Sequence, residues 1–351
     1  MFHEVVVDGT EGTLVVDPDD ETREAATGGD DVEIRSEPVE TADGTPIEVA
    51  ANVGTRADLE PAADRGADGI GLFRTEFLFL DRQSPPDEDE QYEAYRDALE
   101  RFPDGRVVVR TLDIGGDKPI EYLDLPEEEN PFLGERGIRR SLGPDADLFE
   151  TQLRALLRAA GSDDGGTLSV MLPLVSTVEE VREAHEVLES VAADLETEGV
   201  IHALPEFGVM IETPAAAYVA SDLTDDVDFF SIGTNDLAQY VMAAERGNGR
   251  VADLGDYRQP AVLRAIRATV EATEGTDVWV GMCGEMAGDP DLTKLLIGLG
   301  LDELSMSAVT VPQVKRAVTE TTVDDARTLA ERALAASTKA EVEGVLTETT
   351  Q

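Results

Sequence analysis

The sequence is poor in cysteine and has no long apolar run. Cys283 is the single cysteine among 351 residues, so a disulfide framework within the chain is excluded and a reducing cytoplasm is the simplest setting. No stretch of about 18 consecutive apolar residues occurs, which argues against a membrane span. Residues 1–12, MFHEVVVDGTEG, have neither the basic nor the apolar region of a signal peptide. These absences predict a cytoplasmic protein without membrane insertion.

Basic residues are also scarce. The chain has 28 Lys+Arg against 75 Asp+Glu, which gives a formal net charge of −47, and only four of the basic residues are lysines. A surface this acidic argues against nucleic-acid binding, which requires basic patches. Because 41% of the residues are hydrophobic, the composition is that of a folded protein rather than a disordered one. We interpret the charge as halophilic, since high salt screens self-repulsion.

The chain divides into three predicted regions. Residues 1–17 have the pattern of a β-hairpin, with β-branched runs on either side of a turn. Residues 18–45 are acidic, are interrupted by Gly28, Gly29 and Pro38, and are predicted to be a linker. Residues 46–351 are predicted to form the main domain.

Within the main domain, short β-branched runs alternate with amphipathic helical stretches. The eight predicted strands are 46–52, 69–74, 106–113, 167–172, 206–212, 229–233, 277–282 and 302–307. Eight βα units in series are typical of a (β/α)8 TIM barrel or of a doubly wound sheet. The count, the length of roughly 250 residues that a barrel needs and the lack of a glycine-rich dinucleotide fingerprint favour the barrel. Two further helices, at 323–337 and 340–348, are predicted to close the chain.

Polar residues recur where the predicted strands end. In chain order they are Arg74, Arg110, Glu212, Asn235 with Asp236, and Cys283. The carboxyl ends of the strands of such a barrel meet at one face, and active sites are built there. The pattern therefore predicts a site at this face.

The residue types indicate the ligand. Guanidinium groups bind phosphate and carboxylate in a bidentate fork, and carboxylates such as Glu212 and Asp236 facing a phosphate are typical of a Mg2+ site. Cys283 beside them is a candidate for moving a proton. The residues alone predict a small phosphate ester with two anionic groups, Mg2+, and acid–base or phosphoryl-transfer chemistry.

Each of these residues has a structural alternative that the sequence leaves open. An arginine at a strand end is often part of a surface salt bridge, and a lone buried cysteine is usually a small core residue. The histidines His3, His185 and His202 lie in contexts typical of a hairpin, a solvated helix and a loop. None of the three is predicted to be catalytic.

Six longer segments carry a specific, ordered pattern. They are GLFRTEFLFLDR (71–82), VVRTLDIGGDKP (108–119), ENPFLGERGIR (129–139), GVMIETPAAA (208–217), FFSIGTNDLAQYVMAAERGN (229–248) and GMCGEMAGD (281–289). Together they resemble Enzyme I of the sugar phosphotransferase system, the phosphoenolpyruvate–protein phosphotransferase. The related pyruvate phosphate dikinases and phosphoenolpyruvate synthases share this barrel, but RTEFLF and MCGEMAGD fit Enzyme I better.

The resemblance implies that six residues bind phosphoenolpyruvate: Arg74, Arg110, Asn235, Arg246, Lys118 and Arg136. The first two arginines would hold its phosphate. Asn235 and Arg246 would fix its carboxylate and phosphate ends, and the remaining two residues would complete a basic wall.

The resemblance also implies the reaction and its partners. Glu212 and Asp236 would coordinate Mg2+, and Cys283 would protonate the enolpyruvate carbon as it becomes pyruvate. The phosphoryl group would pass to a histidine and then to HPr. A homodimer formed through the barrel is implied as well.

The chain departs from the family pattern at its N-terminal end. Enzyme I carries its phosphorylated histidine in a motif resembling GGxTSHAAI, and residues 1–351 contain nothing like it. Residues 1–17 are interpreted as the last hairpin of that missing domain. The acceptor histidine is expected on another domain or chain, so a truncated gene model, a split enzyme and a decayed or regulatory barrel stay open.

Three other functions are therefore kept beside the Enzyme I-type phosphotransferase. One is a phosphoenolpyruvate-sensing or interaction module without turnover. The others are a pyruvate-phosphate dikinase-like barrel and a phosphoenolpyruvate/pyruvate lyase, in which Lys118, Arg136 and Cys283 would have no obvious use.

Overall fold

The computed structural model describes residues 5–8, 13–19, 22, 32–116, 120, 122–162 and 165–349. The chain forms two compact units, Met1–Ile34 and Arg35–Gln351. In the first unit, β1 (Val5–Asp8) and β2 (Thr13–Val16) pair antiparallel, as predicted for a hairpin. The interpretation of this hairpin as part of another domain, and the domain boundaries at residues 17 and 45, stay predictions.

The second unit is built around eight parallel strands. They are β4 (Pro46–Val53), β5 (Ile70–Arg74), β6 (Arg106–Arg110), β7 (Thr167–Leu172), β8 (Glu206–Ile211), β9 (Phe229–Ile232), β10 (Trp279–Met282) and β11 (Glu303–Met306). Neighbours pair in chain order, and β11 pairs with β4, which closes the sheet. The predicted (β/α)8 barrel is confirmed, and so is each of its eight strands. A short strand, β3 (Val39–Glu40), pairs antiparallel with the start of β4.

Helices of the described residues surround the barrel or connect its strands. They are α1 (Leu59–Asp64), α2 (Glu76–Phe79), α3 (Glu88–Arg101), α4 (Ile138–Ser141), α5 (Ala146–Ala160), α6 (Val178–Glu198), α7 (Pro214–Tyr218), α8 (Ala220–Leu223), α9 (Thr234–Met242), α10 (Pro260–Ala272), α11 (Thr293–Leu299), α12 (Val311–Thr319), α13 (Val323–Ala335) and α14 (Lys339–Thr349). Among these helices, none combines the length and the apolar character that crossing a membrane requires.

Helix α6 shows how the sequence specifies these elements. Thr177 and Glu180 form a reciprocal capping box at its start, which satisfies backbone N–H groups that have no partner inside the helix. Gly199 ends it in the left-handed region at φ +74°. Its buried residues recur every three or four positions: Val181, Ala184, Leu188, Val191 and Leu195. This spacing places one apolar stripe against the barrel.

The barrel interior is filled below its mouth. Its apolar layer consists of Leu72, Val108, Met171, Met210, Phe229 and Cys283. At the opposite end from the mouth, Arg106 forms ion pairs with Glu48 at 2.7 Å and Glu206 at 3.2 Å. The same guanidinium lies 4.0 Å from the ring centre of Trp279, which stacks on Phe229 at 4.6 Å. The interior below the mouth is therefore a packed core.

Lys315 is one of the four lysines, and it is fully buried. Its Nζ lies 2.6 Å from Asp68 Oδ1 and donates to the carbonyl oxygens of Arg35 and Glu37 at 3.1 and 2.9 Å. The ammonium group of Lys315 thus connects helix α12 to the segment that precedes β3. Burial raises the pKa of Asp68, while Lys315 opposes that shift.

We expect Lys315→Met to destabilise the barrel by about 3–5 kcal/mol, because it leaves the Asp68 carboxylate buried without its cation. Arg316→Met is the matched control: this neighbour on α12 is exposed and pairs with Glu320 one turn away, so its loss should cost about 1 kcal/mol or less. Denaturant unfolding of both variants measures the difference. Equal losses in the two variants would contradict the assigned role of Lys315.

Candidate active site at the barrel mouth

A cavity of about 760 Å³ opens where the barrel strands end, within the size range of small-molecule sites. Eight of the nine residues predicted for the site line it: Arg74, Arg110, Arg136, Glu212, Asn235, Asp236, Arg246 and Cys283. The ninth, Lys118, lies outside the described residues. The structure therefore brings together residues that are up to 209 positions apart in the printed sequence.

Arg110, the last residue of β6, is the buried centre of a charged network. Its guanidinium pairs with Glu76 and lies 3.2 Å from Asp113 Oδ2. Asp113 also accepts hydrogen bonds from Arg136 at 3.1–3.2 Å, and the Thr75 hydroxyl donates to the Arg110 carbonyl at 2.8 Å. Burial alone would lower the pKa of Arg110, but Glu76 and Asp113 outweigh it and raise that pKa. The Arg110 guanidinium therefore stays charged and is held in place by two buried carboxylates.

Two further arginines stand at the rim. Arg74 ends β5 and is exposed, and it makes no ion pair with another described residue. Arg246 is about half exposed and lies 3.4 Å from Asp236 Oδ2. Its backbone N–H donates to Gln239 Oε1 at 3.0 Å. These two guanidinium groups are less enclosed by acidic partners than Arg110, so they can reach an incoming anion.

The ring of Phe132 links two parts of the basic wall. The guanidinium groups of Arg136 and Arg246 lie 5.2 and 5.9 Å from its centre, within the distance at which a cation is attracted to an aromatic face. The Tyr240 hydroxyl donates to the Phe132 carbonyl. The loop that carries Arg136 is thus held against helix α9.

Glu212, directly after β8, is a buried carboxyl. Its Oε1 accepts a 2.6 Å hydrogen bond from the backbone N–H of Leu174, which lies in the left-handed region at φ +57°. Such backbone strain in a non-glycine residue is typical of functional sites. Burial, and then the nearby charges of Asp236 and Asp113, raise the pKa of Glu212 to about 8, while Arg110 opposes the shift.

Asp236 is the second carboxylate, and its Oδ1 is buried without a hydrogen-bond partner among the described residues. A buried polar atom of this kind calls for a missing ligand or ion. No group of three or more His, Cys, Asp or Glu side chains that could hold a metal ion is found in the described part of the chain. Two carboxylates suit Mg2+, which is usually bound by one or two carboxylates with phosphate oxygens of the ligand.

Cys283 follows β10 and belongs both to the apolar interior layer and to the cavity lining. Its thiol faces the Ile232 carbonyl at 3.9 Å. Burial raises the pKa of Cys283 to about 11, although the Ser231 hydroxyl and Arg110 favour the thiolate. At neutral pH the group is therefore a protonated thiol that can act as a proton donor.

Asn235 is oriented by its neighbour across the cavity. Its Oδ1 accepts a 3.0 Å hydrogen bond from the backbone N–H of Glu285. Glu285 begins a short 3-10 turn. The amide is thus fixed at the start of helix α9, next to Asp236.

The structure adds residues that the sequence reasoning did not select. Glu76 is 4% exposed and pairs with Arg110; its position two residues after Arg74, in RTE, was the available signal. Tyr257 and Arg258 also line the cavity. They lie in a loop, where neither strand nor helix periodicity marks a functional residue.

The described histidines, His185 and His202, are not among the residues that line the cavity. His185 lies against the ring of Phe207 at 5.2 Å, and His202 Nδ1 lies 2.9 Å from the Val200 carbonyl. His3 is outside the described residues. That His185 and His202 have no catalytic role stays a prediction.

Residues 30–323 match the family described as PEP-utilising enzyme, PEP-binding domain. The chain belongs to this family. A phosphoenolpyruvate-protein phosphotransferase of Haloferax volcanii is 78% identical over 344 residues, which cover 98% of this chain and 61% of the relative. A protein of the same name from Staphylococcus carnosus is 46% identical over 357 residues, which cover 99% of this chain and 62% of the relative. The resemblance to Enzyme I is confirmed, and the chain spans less than two thirds of each relative.

Among solved structures, a citrate lyase from Burkholderia xenovorans superposes with a TM-score of 0.51. The match covers 90% of this chain and 93% of the lyase at 16% sequence identity. At this identity the likeness concerns the fold alone, and it agrees with the closed barrel of this member of the PEP-utilising family.

We expect iodoacetamide to alkylate Cys283 slowly at pH 7 and about tenfold faster per pH unit up to pH 10, because only the thiolate reacts and the pKa of this buried thiol is about 11. An ordinary thiol would level off near pH 8.5. Mass spectrometry of the intact chain gives the rate, with circular dichroism checking the fold at each pH. Ser231→Ala should slow the reaction, and a wild-type rate that levels off below pH 9 would contradict the environment described for Cys283.

Proposed function

We propose that this barrel binds phosphoenolpyruvate and Mg2+ and carries out the phosphoenolpyruvate half of an Enzyme I-type phosphotransferase reaction. The observation that carries the proposal is one cavity that brings the guanidinium groups of five arginines together with the carboxyl groups of Glu212 and Asp236 and the protonated thiol of Cys283. The name shared by the two relatives supports it.

The arginines suit a ligand with two anionic ends. Arg74 and Arg246 are open to the cavity and can form bidentate contacts with phosphate or carboxylate oxygens. Arg110 and Arg136 are held by buried acids, so their N–H groups are oriented before the ligand arrives. Asn235 would orient one end of the ligand, and Lys118 is expected to complete the basic wall.

Glu212 and Asp236 would hold Mg2+ together with oxygens of the ligand. When bound, the ion would offset negative charge on the phosphate and on the departing enolate. Asp236 Oδ1, which lacks a partner among the described residues, is the carboxylate oxygen best placed to act as a ligand. Glu212 would have to lose the proton that its raised pKa retains, so binding of the ion would release a proton.

Cys283 would supply the proton that completes pyruvate. The P–O bond of phosphoenolpyruvate breaks as its phosphoryl group passes to a histidine nitrogen, and the remaining electron pair forms an enolate. A new C–H bond then forms at the methylene carbon with the thiol proton, which leaves a thiolate. Arg110 favours that thiolate, and solvent returns the proton in the next cycle.

The acceptor histidine would come from outside these 351 residues. The described histidines do not line the cavity, and each relative is longer than the stretch that matches. A separate histidine-bearing domain or chain, and HPr after it, are the proposed partners. A homodimer and a cytoplasmic location are proposed with them on the family resemblance.

The decisive experiment follows label from 32P-phosphoenolpyruvate. The chain is mixed in high salt with Mg2+, HPr and a separately produced Enzyme I histidine domain, and both label on HPr and pyruvate are measured. We expect label on HPr only when all components are present. In Cys283→Ser we expect a large loss of pyruvate formation, because the proton donor is removed. If phosphoenolpyruvate binds but neither labelled HPr nor pyruvate appears, the phosphotransferase is rejected in favour of a sensing module.

We expect Arg246→Gln to weaken phosphoenolpyruvate binding roughly 10- to 100-fold, since a charge-assisted hydrogen bond contributes about 1.5–3 kcal/mol. Arg250→Gln is the matched control, because Arg250 is exposed in the same loop and does not line the cavity. Titration calorimetry with Mg2+ present measures both affinities. Equal weakening in the two variants would assign the effect to general charge rather than to a contact by Arg246.

A further inference from the structure

The strand pairing next to Cys283 is incomplete. The β10–β11 ladder consists of two residue pairs, Gly281 with Glu303 and Met282 with Leu304, and it ends before Cys283. A buried backbone carbonyl at this point needs another partner. The side chain of Asn52 supplies it, since its Nδ2 donates to the Cys283 carbonyl at 3.0 Å.

Asn52 reaches this carbonyl from the far side of β11. It lies on β4, which pairs with β11 from Glu48 to Ala51. The pairing of β4 with β5 shifts register between Ala51 and Asn52, and such irregularities redirect a side chain. The amide therefore joins the ends of three strands, where the barrel closes.

Ser305 sets the orientation of the Asn52 amide. The Ser305 hydroxyl is fully buried and donates to Asn52 Oδ1 at 2.5 Å, while Nδ2 also lies 3.4 Å from the Ser305 carbonyl. If the amide were turned over, its oxygen would face two carbonyl oxygens and its NH2 would face the hydroxyl. Only the observed orientation satisfies all three groups.

The other backbone groups around Cys283 are fixed as well. The Cys283 N–H donates to the Ile232 carbonyl at 3.1 Å. A Cβ at Gly284 would collide with the Thr234 side chain, so the chain passes closely over the start of α9. The backbone N–H of Cys283 is bonded to β9 and its carbonyl to Asn52. The position of the Cys283 thiol therefore depends on both hydrogen bonds.

We propose that Asn52, oriented by Ser305, is a positioning residue that holds the Cys283 thiol at the distance from the ligand that proton transfer requires. The inference rests on the proposed function, in which Cys283 delivers a proton to carbon. Asn52 is not one of the residues that line the cavity. It therefore acts through Cys283 and not by contact with phosphoenolpyruvate.

A test exists that uses this chain alone. In D2O with Mg2+, the Cys283 thiolate removes a methyl proton from pyruvate to give the enolate, the thiol exchanges with solvent, and a deuteron returns to the same carbon. Loss of the pyruvate methyl signal in proton NMR measures the rate, and calorimetry measures phosphoenolpyruvate affinity. We expect Asn52→Ala to slow the exchange about 10- to 100-fold, because small misplacements of reacting groups cost this much, while the affinity changes by less than about threefold.

Two further variants separate positioning from general stability. Ser305→Ala keeps the Asn52 amide but frees its orientation, so we expect a smaller slowing in the same direction. Asn52→Asp should not restore the rate, because a carboxylate has no hydrogen to donate to the carbonyl. Thr269→Val removes a buried hydroxyl on α10 that donates within its own helix, and it should leave exchange unchanged. Exchange within twofold of wild type in Asn52→Ala, or a parallel loss of affinity, would overturn the proposal.

Alkylation of Cys283 at one fixed pH gives a readout that does not depend on the proposed function. If Asn52 positions the thiol, Asn52→Ala should be alkylated at least about threefold faster than wild type, because the backbone at Cys283 is released. Absence of exchange in wild type would count against the proposed function alone. An unchanged alkylation rate in Asn52→Ala would count against the positioning role of Asn52 alone.

Discussion

The pairing of β11 with β4 is the constraint on which the site depends. A sheet of eight parallel strands that closes on itself must place the carboxyl ends of all its strands around one mouth. The apolar layer around Phe229 and the ion pairs of Arg106 fill the space below. Charged side chains from five different strands or their following loops are thereby forced into one cavity, although nothing in their local sequence attracts them to each other.

That enclosure determines the electrostatics of the mouth. A chain with a net charge of −47 would be expected to repel an anionic ligand. Arg110 and Arg136 are buried against Glu76 and Asp113, which balance their charges and fix their positions, so the more open guanidinium groups of Arg74 and Arg246 are the ones that can meet an anion. The same exclusion of water raises the pKa of Glu212 and of Cys283, which leaves a proton on each group until a ligand or an ion changes its surroundings.

Much of this could be predicted from the sequence, for a physical reason. The alternation of residues that marks a strand or a helix is visible in a short stretch of sequence, and the end of each barrel strand lies at the cavity. The spacing of the strands was therefore enough to select Arg74, Arg110, Glu212 and Cys283. Arg136 and Arg246 lie in loops, where no period marks them, and only the family resemblance selected them. The sequence could not identify Asn52 as a positioning residue, because in the sequence it is one more residue of a predicted strand. Its role depends on the register shift in β4 and on the short β10–β11 ladder, which only the structure shows.

The lower end of the barrel has a consequence for how the molecule can be observed. Trp279 is the only tryptophan of the chain, and it is sandwiched between the guanidinium of Arg106 and the ring of Phe229. Its intrinsic fluorescence therefore originates from a single point at the face opposite the cavity. Emission from this one indole reports whether the closed barrel is intact, without a label and at any salt concentration. Ligands bound at the mouth would leave the signal largely undisturbed.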